Sequence, residues 1–387
     1  MSEGLWGDVI GQPAATAALR AAVAAGSVAH AWLLVGPPGV GQPEAVAALA
    51  ADLNCLHAHP YACATCGTCR RIRRRAHPAL RDLEPEGAFH VVDAVRDEWI
   101  PTATSSLLDG RVKVLRVVEA DRMHDATQNA FLKLLEEPPP SVVWVLEVAD
   151  DAQLLRTIVS RCRRLDFVQW GRDDLAARAV ELEIGERSAD LVRAAMGSPA
   201  RLEELHDPDV AAARDRHLGV VGRLADEGPA AAVPATRELT DWSKRRARHQ
   251  RDRNARDRAR LEEAYGGEWP AGAKTRRERR ERRLEREGGQ AALRTALADL
   301  AAYLRDLIAV AGGADAADLV NRDHREALSR DAARVSVAVA VDGLQAVADC
   351  LDALEHNGQP DLHVERLLLR LSVPLQQSAS QELVRRE

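Results

Sequence analysis

Apolar and polar positions fall into two regimes along the chain. Residues 31–35 (AWLLV) form a short apolar run that enters a glycine-rich turn at 36–41 (GPPGVG). Beyond the turn Val46, Leu49, Ala50 and Leu53 recur at i, i+3, i+4 and i+7, one face of a helix. Pro43 stands at its start, where a missing N–H is harmless. The pattern predicts strand, loop and helix in succession. Residues 111–120 (RVKVLRVVEA) read as a second buried strand. A helix follows, with Asp125 as its expected N-cap, Gln128 three residues on, and Ala126, Ala130, Leu134 and Leu135 on one face. Pro138, Pro139 and Pro140 end it. Residues 142–148 (VVWVLEV) and 163–168 (RRLDFV) read as further strands. Strands alternating with helices predict a parallel, doubly wound α/β sheet.

After about residue 170 the strand signals stop. Residues 173–204 read as two or three short helices broken at Gly185 and at Gly197-Ser198-Pro199. The remainder, 208–387, is rich in Ala, Leu and Arg and reads as helical, with breaks near Gly228-Pro229, Gly266-Gly267, Gly312-Gly313 and Gly358. The expected organisation is an α/β domain over 1–169, a small helical lid over 170–207 and an all-α domain over 208–387.

Composition changes this picture in two places. Hydrophobic residues are 46% of the chain but aromatic ones only 3%, so Ala, Val and Leu must fill the core. The formal net charge of -6 is unevenly spread: residues 241–290 hold 17 Lys and Arg against 10 Asp and Glu, a local +7. Residues 244–260 (KRRARHQRDRNARDRAR) and 275–287 (TRRERRERRLERE) flank a Gly/Pro turn at 265–270 and predict a helical hairpin. At ~1.5 Å per residue its longer arm spans about 25–35 Å. Few apolar residues (Leu261, Ala264, Tyr265, Leu284) are available to pin the arms. Two readings stay open for it: a weakly packed projection, or an arm that binds DNA or a partner. No apolar run approaches the ~18 residues of a membrane span. The N-terminus (MSEGLWGDVIGQP) has no basic start leading into an apolar stretch, so no signal peptide is expected and the compartment is expected to be cytoplasmic.

The turn at 36–41 keeps the frame of a phosphate loop, G-x-x-x-x-G-K-[ST], but not its chemistry. Gly36, Gly39 and Gly41 remain, with Pro37, Pro38 and Val40 between them. Gln42 replaces the Lys that neutralises phosphate charge, and Pro43 replaces the hydroxyl that holds Mg²⁺. The next strand ends Val117-Val118-Glu119, and Val118 cannot organise a metal where an Asp is wanted. No ATP hydrolysis is expected at this site.

Cys55, Cys63, Cys66 and Cys69 are spaced by seven, two and two residues. Thiolates at C-x-x-C spacing can share one tetrahedral Zn²⁺, and a closed Cys₄ shell is structural rather than catalytic. His57 and His59, inside the loop, are alternative ligands, and a redox dithiol is a further alternative. Arg70, Arg71, Arg73, Arg74 and Arg75 follow directly, either as a solvated face or as a contact for acidic or phosphate groups.

Several segments, in order, resemble the AAA+ clamp-loader subunits of bacterial DNA polymerase III, and among them the delta-prime type. They are Ile10-Gly11-Gln12; His30-Ala31-Trp32 leading into Gly36-Pro37-Pro38-Gly39; the cysteine cluster; 129–139 (NAFLKLLEEPP); and Thr157-Ile158-Val159-Ser160-Arg161-Cys162. The likeness covers about residues 5–205; beyond that only helical character is shared. The resemblance implies an AAA+ α/β domain, a helical lid and an all-α collar. It implies that Arg161, between Ser160 and Cys162, is an arginine finger reaching a neighbour's ATP in trans. Arg201 resembles the lid's sensor arginine, and the sensor position of the fourth strand falls near Val148 or Ala149. The implied partners are the gamma/tau motor subunits, the delta subunit, the beta sliding clamp and primed DNA, within a nucleoid-associated replisome. Loss of the ATP site with retention of the finger suits a non-hydrolysing subunit. The alternatives are an active motor-type ATPase and a zinc-stabilised nucleic-acid-binding protein.

Overall fold

The computed structural model describes residues 4–57, 61–85, 87–107, 109–264, 273–355 and 359–386. The chain divides into two compact units: 1–178 with 197–200, and 179–196 with 201–387.

The first unit is built on a five-stranded sheet, β1 (Ala31–Val35), β2 (Leu80–Leu83), β3 (Lys113–Val117), β4 (Val142–Val148) and β5 (Arg163–Asp166). The order is β2-β3-β4-β1-β5 and every pairing is parallel. β1, β3 and β4 are buried along their whole length, as a sheet covered on both faces requires. One face packs on helices Pro13–Ala24 and Gln42–Asn54 through Leu19, Val46 and Leu49. The other packs on helix Asp125–Glu136, where Trp99, Phe131 and Trp144 stack edge to face. β2 has no counterpart among the expected strands. Its sequence, LRDL, puts two charges mid-strand, and Asp82 is absorbed there by ion pairs with Arg75 and Arg116.

The expected cap of helix Asp125–Glu136 is corrected. Asp125 is the first helical residue and His124 occupies the cap position, without a side-chain cap. Gln128 does not cap either. It is buried, donating to the carbonyls of Met123 (2.9 Å) and Gln153 (3.0 Å) and accepting from the N–H of Leu155 (2.7 Å). Tertiary partners have taken the amide from the local motif.

The second unit is helical throughout its described residues. The expected break at Gly228-Pro229 falls between helices Val220–Glu227 and Pro229–Ala264, and the one at Gly312-Gly313 falls directly after helix Ala273–Ala311. Those at Gly266-Gly267 and Gly358 lie outside the described residues. The core gathers Leu297, Leu304, Leu328, Val364, Leu368 and Leu375. No helix among the described residues is long and apolar enough to cross a membrane.

Candidate functional site

The phosphate-type loop leaves the C-terminal end of β1, the edge of a parallel sheet where ligands bind. Gly36 is pressed against the neighbouring strand: a Cβ there would lie 2.2 Å from the Phe167 carbonyl oxygen, so only glycine fits. Gly39, at φ +78°, takes a left-handed turn. Gln42 then turns back into the loop and is wholly buried. Its Nε2 donates to the Pro37 carbonyl at 2.7 Å and to Gly36 at 3.4 Å, and its Oε1 accepts the Val40 N–H at 3.2 Å. In a working loop such N–H groups point at phosphate. Here the side chain that replaced the lysine takes one of them.

Gln12 secures the loop from outside. Its Nε2 donates to the carbonyls of Val40 (3.1 Å) and Val168 (2.6 Å), and its Oε1 accepts from the Val168 N–H (3.0 Å). The Trp170 indole N–H adds a bond to the Val40 carbonyl at 2.9 Å. Gln12→Ala removes these side-chain partners from buried backbone groups and is expected to cost about 2–4 kcal/mol, read as a lower urea midpoint with an unchanged m-value. An unchanged midpoint contradicts the clamp.

Pro43 contributes its carbonyl to Arg75, whose guanidinium turns inward. Arg75 also faces Asp82 of β2 at 3.7 Å. Asp82 in turn meets Arg116 of β3 at 3.3 Å, and Arg116 bonds Glu147 of β4 at 2.6 Å. Burial opposes the charge on Arg116, but Glu147 and Asp82 outweigh it and raise its pKa. This buried chain of charges ties three strands to the loop's helix. Its members are far apart in sequence, and no motif announced them. The rest of the arginine run is dispersed: Arg71 pairs with Asp109 at 2.6 Å, Arg73 with Asp8 at 2.9 Å, and Arg70 donates to the Thr65 carbonyl.

The other nucleotide positions carry no catalytic equipment. Val118 follows β3, and its side chain has no donor or acceptor to offer. Glu119 adopts a left-handed conformation (φ +53°) and pairs with Arg122 at 3.3 Å. Val148 is buried, and its carbonyl accepts the Gly36 N–H. Ala149 offers only a methyl group. Arg201 lies in the second unit, on helix Pro199–His206, where it forms a bidentate pair with Asp299 at 2.9 and 3.0 Å.

Arg161 sits in the turn between helix Arg156–Val159 and β5, with Ser160 and Cys162 on either side. Its side chain is 36% exposed. One guanidinium nitrogen donates to the Thr157 carbonyl (3.0 Å) and another to Glu136 (2.7 Å) at the end of helix Asp125–Glu136. Cys162 faces the core, and burial pushes its thiol up to about 12. The Gln128 bonds to Gln153 and Leu155 fix the segment that leads into this turn.

The four cysteines converge. All their sulfurs lie within 4.8 Å of one another. Cys55 to Cys63 is 3.7 Å, Cys55 to Cys66 is 3.9 Å and Cys63 to Cys69 is 4.0 Å. A tetrahedron of sulfurs at ~2.3 Å from zinc has edges of about 3.8 Å, so the donor set fits that ion. The N–H groups of Cys66 and Cys69 point at the sulfurs of Cys63 (3.3 Å) and Cys66 (3.4 Å), as in a metal knuckle. Burial pushes the Cys55 and Cys69 thiols up. It opposes the Cys63 thiolate too, but the N–H groups of Cys66 and Thr65 outweigh it and bring Cys63 down to about 6. Asp52, found by no sequence signal, anchors the loop: it accepts from the Trp6 indole (2.8 Å) and the Ala62 N–H (2.6 Å). His57 is exposed, its backbone N–H bonds the Cys55 sulfur, and its side chain is not among the four ligands that converge; His59 lies outside the described residues.

The family model described as "DNA polymerase III, delta subunit" matches residues 11–170. The delta-prime subunit of Pseudomonas aeruginosa DNA polymerase III is 34% identical over 210 residues, 53% of this chain and 64% of that one. The delta-prime subunit of Bacillus subtilis is 30% identical over 185 residues, 47% of this chain and 55% of the relative. The gamma/tau subunit of Mycobacterium bovis is 32% identical over 222 residues, 54% of this chain and 38% of the relative. The chain therefore spans less than two thirds of the length of each of these relatives. Through residues 11–170, the stretch that holds the sheet, the closed loop, the cysteine cluster and the Arg161 turn, the chain is similar to the clamp-loader subunits of DNA polymerase III.

Proposed function

We propose that this chain is a non-hydrolysing, delta-prime-type clamp-loader subunit. It completes a neighbour's ATP site with Arg161 and braces the ring that places a sliding clamp on primed DNA. The observation that carries the reading is the pairing of a loop closed by its own Gln42 with a half-exposed arginine, Arg161, held on a turn by surface partners. A loop without lysine, hydroxyl or an acidic metal ligand at Val118 has nothing to stabilise the charge of phosphoryl transfer. That argument weighs against the motor reading, although the gamma/tau relatives are as similar as the delta-prime ones. The proposed division is a domain over 1–169, a lid over 170–207 and a collar over 208–387. One structural zinc is held by Cys55, Cys63, Cys66 and Cys69, since soft thiolates select it. The partners are the gamma/tau motor and delta subunits, the beta clamp and primed DNA, in the cytoplasm.

The test is ATP turnover in a reconstituted loader with clamp and primed DNA, with and without this chain, and by the chain alone. The chain alone is expected to be silent, and its addition to raise turnover by the motor subunits. Mg²⁺-dependent turnover by the isolated chain overturns the proposal, as does a failure to join the motor subunits.

A further inference from the structure

We infer that the outer flank of the charged hairpin in the second unit is a docking surface for the phosphate backbone of a DNA duplex. The hairpin is formed by the distal part of helix Pro229–Ala264 and the first part of helix Ala273–Ala311. Its buried hydrophobics stop at Trp242 and Leu293. Beyond them the arms are joined by small and polar groups. Ser243 Oγ donates to the Gly289 carbonyl at 2.8 Å, and Asn254 Nδ2 donates to the Glu281 carbonyl at 3.1 Å. A Cβ at Gly289 would come within 3.2 Å of the Ala247 Cβ, so the helices touch backbone to backbone there. The seam positions Ser243, Ala247, Gln250 and Asn254 are spaced by four, three and four residues, the period of a coiled coil. The arm is thus an ordered rod, and a ligand need not order it on binding.

The pairing also sorts the charges. Glu281 is buried in the seam and accepts from Arg258 (3.1 Å) and Arg277 (2.8 Å). Glu285 pairs with Arg251 and Glu287 with Arg283. Glu281, Glu285 and Glu287 are thus drawn inward or into pairs; Asp252 and Asp257 stay exposed, but exposed arginines outnumber them. Arg245, His249, Arg253, Arg256 and Arg260 recur at i, i+4, i+8, i+11 and i+15 on one flank, and all are exposed. Arg253 and Arg256 make no ion pair among the described residues, and Arg260 reaches only Asp257, at 4.0 Å. Near the base, Arg245 and His249 share a cleft with Asp207 and Asp209. Those carboxylates repel phosphate, so the contact falls on the distal arginines. Residues four apart rise ~6 Å along the helix. Arg253, Arg256 and Arg260 are therefore about 4.5 and 6 Å apart along the helix, a dense row of cations for a dense row of phosphates. The charge complementarity selects a polyanion, and a duplex, with one negative charge per ~1.7 Å of its axis, presents the charge density that such a row of arginines matches.

The inference is independent of the clamp-loader reading, because the isolated chain tests it. Binding of the full chain to a fluorescent DNA duplex of ~20 base pairs is followed by anisotropy from ~50 mM salt upward. The wild type is compared with a triple variant, Arg253→Gln, Arg256→Gln and Arg260→Gln. Glutamine keeps the helix propensity of arginine. Each lost phosphate contact is expected to reduce the slope of log K against log salt by ~0.9 and to weaken binding at low salt roughly tenfold. Arg256→Gln alone is expected to show one such step. A matched triple variant in the first unit, Arg70→Gln, Arg74→Gln and Arg172→Gln, is expected to bind as the wild type does. The proposal is overturned if the wild type fails to bind the duplex at ~50 mM salt, which would leave an acidic protein surface or plain solvation as the role of the stripe. It is equally overturned if the hairpin variants match the wild type, or if the matched variant weakens binding as much as they do.

Discussion

Replacing Arg161 by alanine is expected to slow turnover at the neighbouring ATP site about a thousandfold or more, while this chain's own stability shifts by less than about 1 kcal/mol. The two magnitudes separate because of how the side chain is held. Its carboxylate partner, Glu136, is itself 49% exposed, so their ion pair adds little to folding. Exchanging that carboxylate for a γ-phosphate costs correspondingly little: the guanidinium is stored on the surface, not locked. Arg161→Lys keeps the charge but loses the planar fork, and is expected to fall between wild type and alanine. Glu136→Gln is expected to leave turnover close to wild type. The readouts are steady-state ATPase of the reconstituted loader and a thermal melt of each isolated variant. Equal turnover with wild-type and Arg161→Ala subunits removes the residue from the chemistry, and a large loss of stability assigns it to the fold.

Removing the proposed zinc is expected to have the largest effect on stability. A ligand at ~1,000 times its Kd stabilises the fold that binds it by about 4 kcal/mol. For a unit of roughly 180 residues that corresponds to a fall in Tm of roughly 8–16 °C. The expected path is local. Cys55 follows directly on helix Gln42–Asn54, and Cys69 lies on helix Gly67–Arg73, so the loop between them loses its closure first. Purified chain is expected to carry one equivalent of zinc by elemental analysis, and Cys63→Ser with Cys66→Ser to abolish it. Metal-free protein with an unchanged melt on chelation contradicts the assignment.

The legible parts of the fold were those governed by local burial. β1 is an unbroken apolar run and β4 is interrupted only by Glu147, and each strand was visible at its full length. The cysteines were legible because ligand spacing is short-range. β2 was not, since Arg81 and Asp82 break its apolar pattern, and the partners of Asp82 lie on another strand and a loop. In sequence Asp52 looks like an ordinary surface polar residue, Gln12 stands only within a family-like element, and Gln128 reads as half of a helix cap. Each is buried by a contact far along the chain: Gln12 with Val168, Asp52 with Trp6, Gln128 with Leu155. At Gln42 the loss of a lysine could be read, but not that its replacement would close the loop. The hairpin's seam was overlooked for a different reason. A search for apolar residues to pin the arms does not find Ser243, Gln250 and Asn254, which line it through hydrogen bonds and close backbone approach.

The closed loop bears on how energy status reaches such an assembly. A ligand moves a conformational equilibrium only by the difference between its affinities for two states. Where Gln42 takes the Val40 donor and stands in place of the loop's lysine, ATP and ADP are expected to offer almost no such difference. Under the proposed function, swings in the ATP-to-ADP ratio then reach this protein's shape only second-hand, through a neighbouring subunit whose nucleotide meets Arg161.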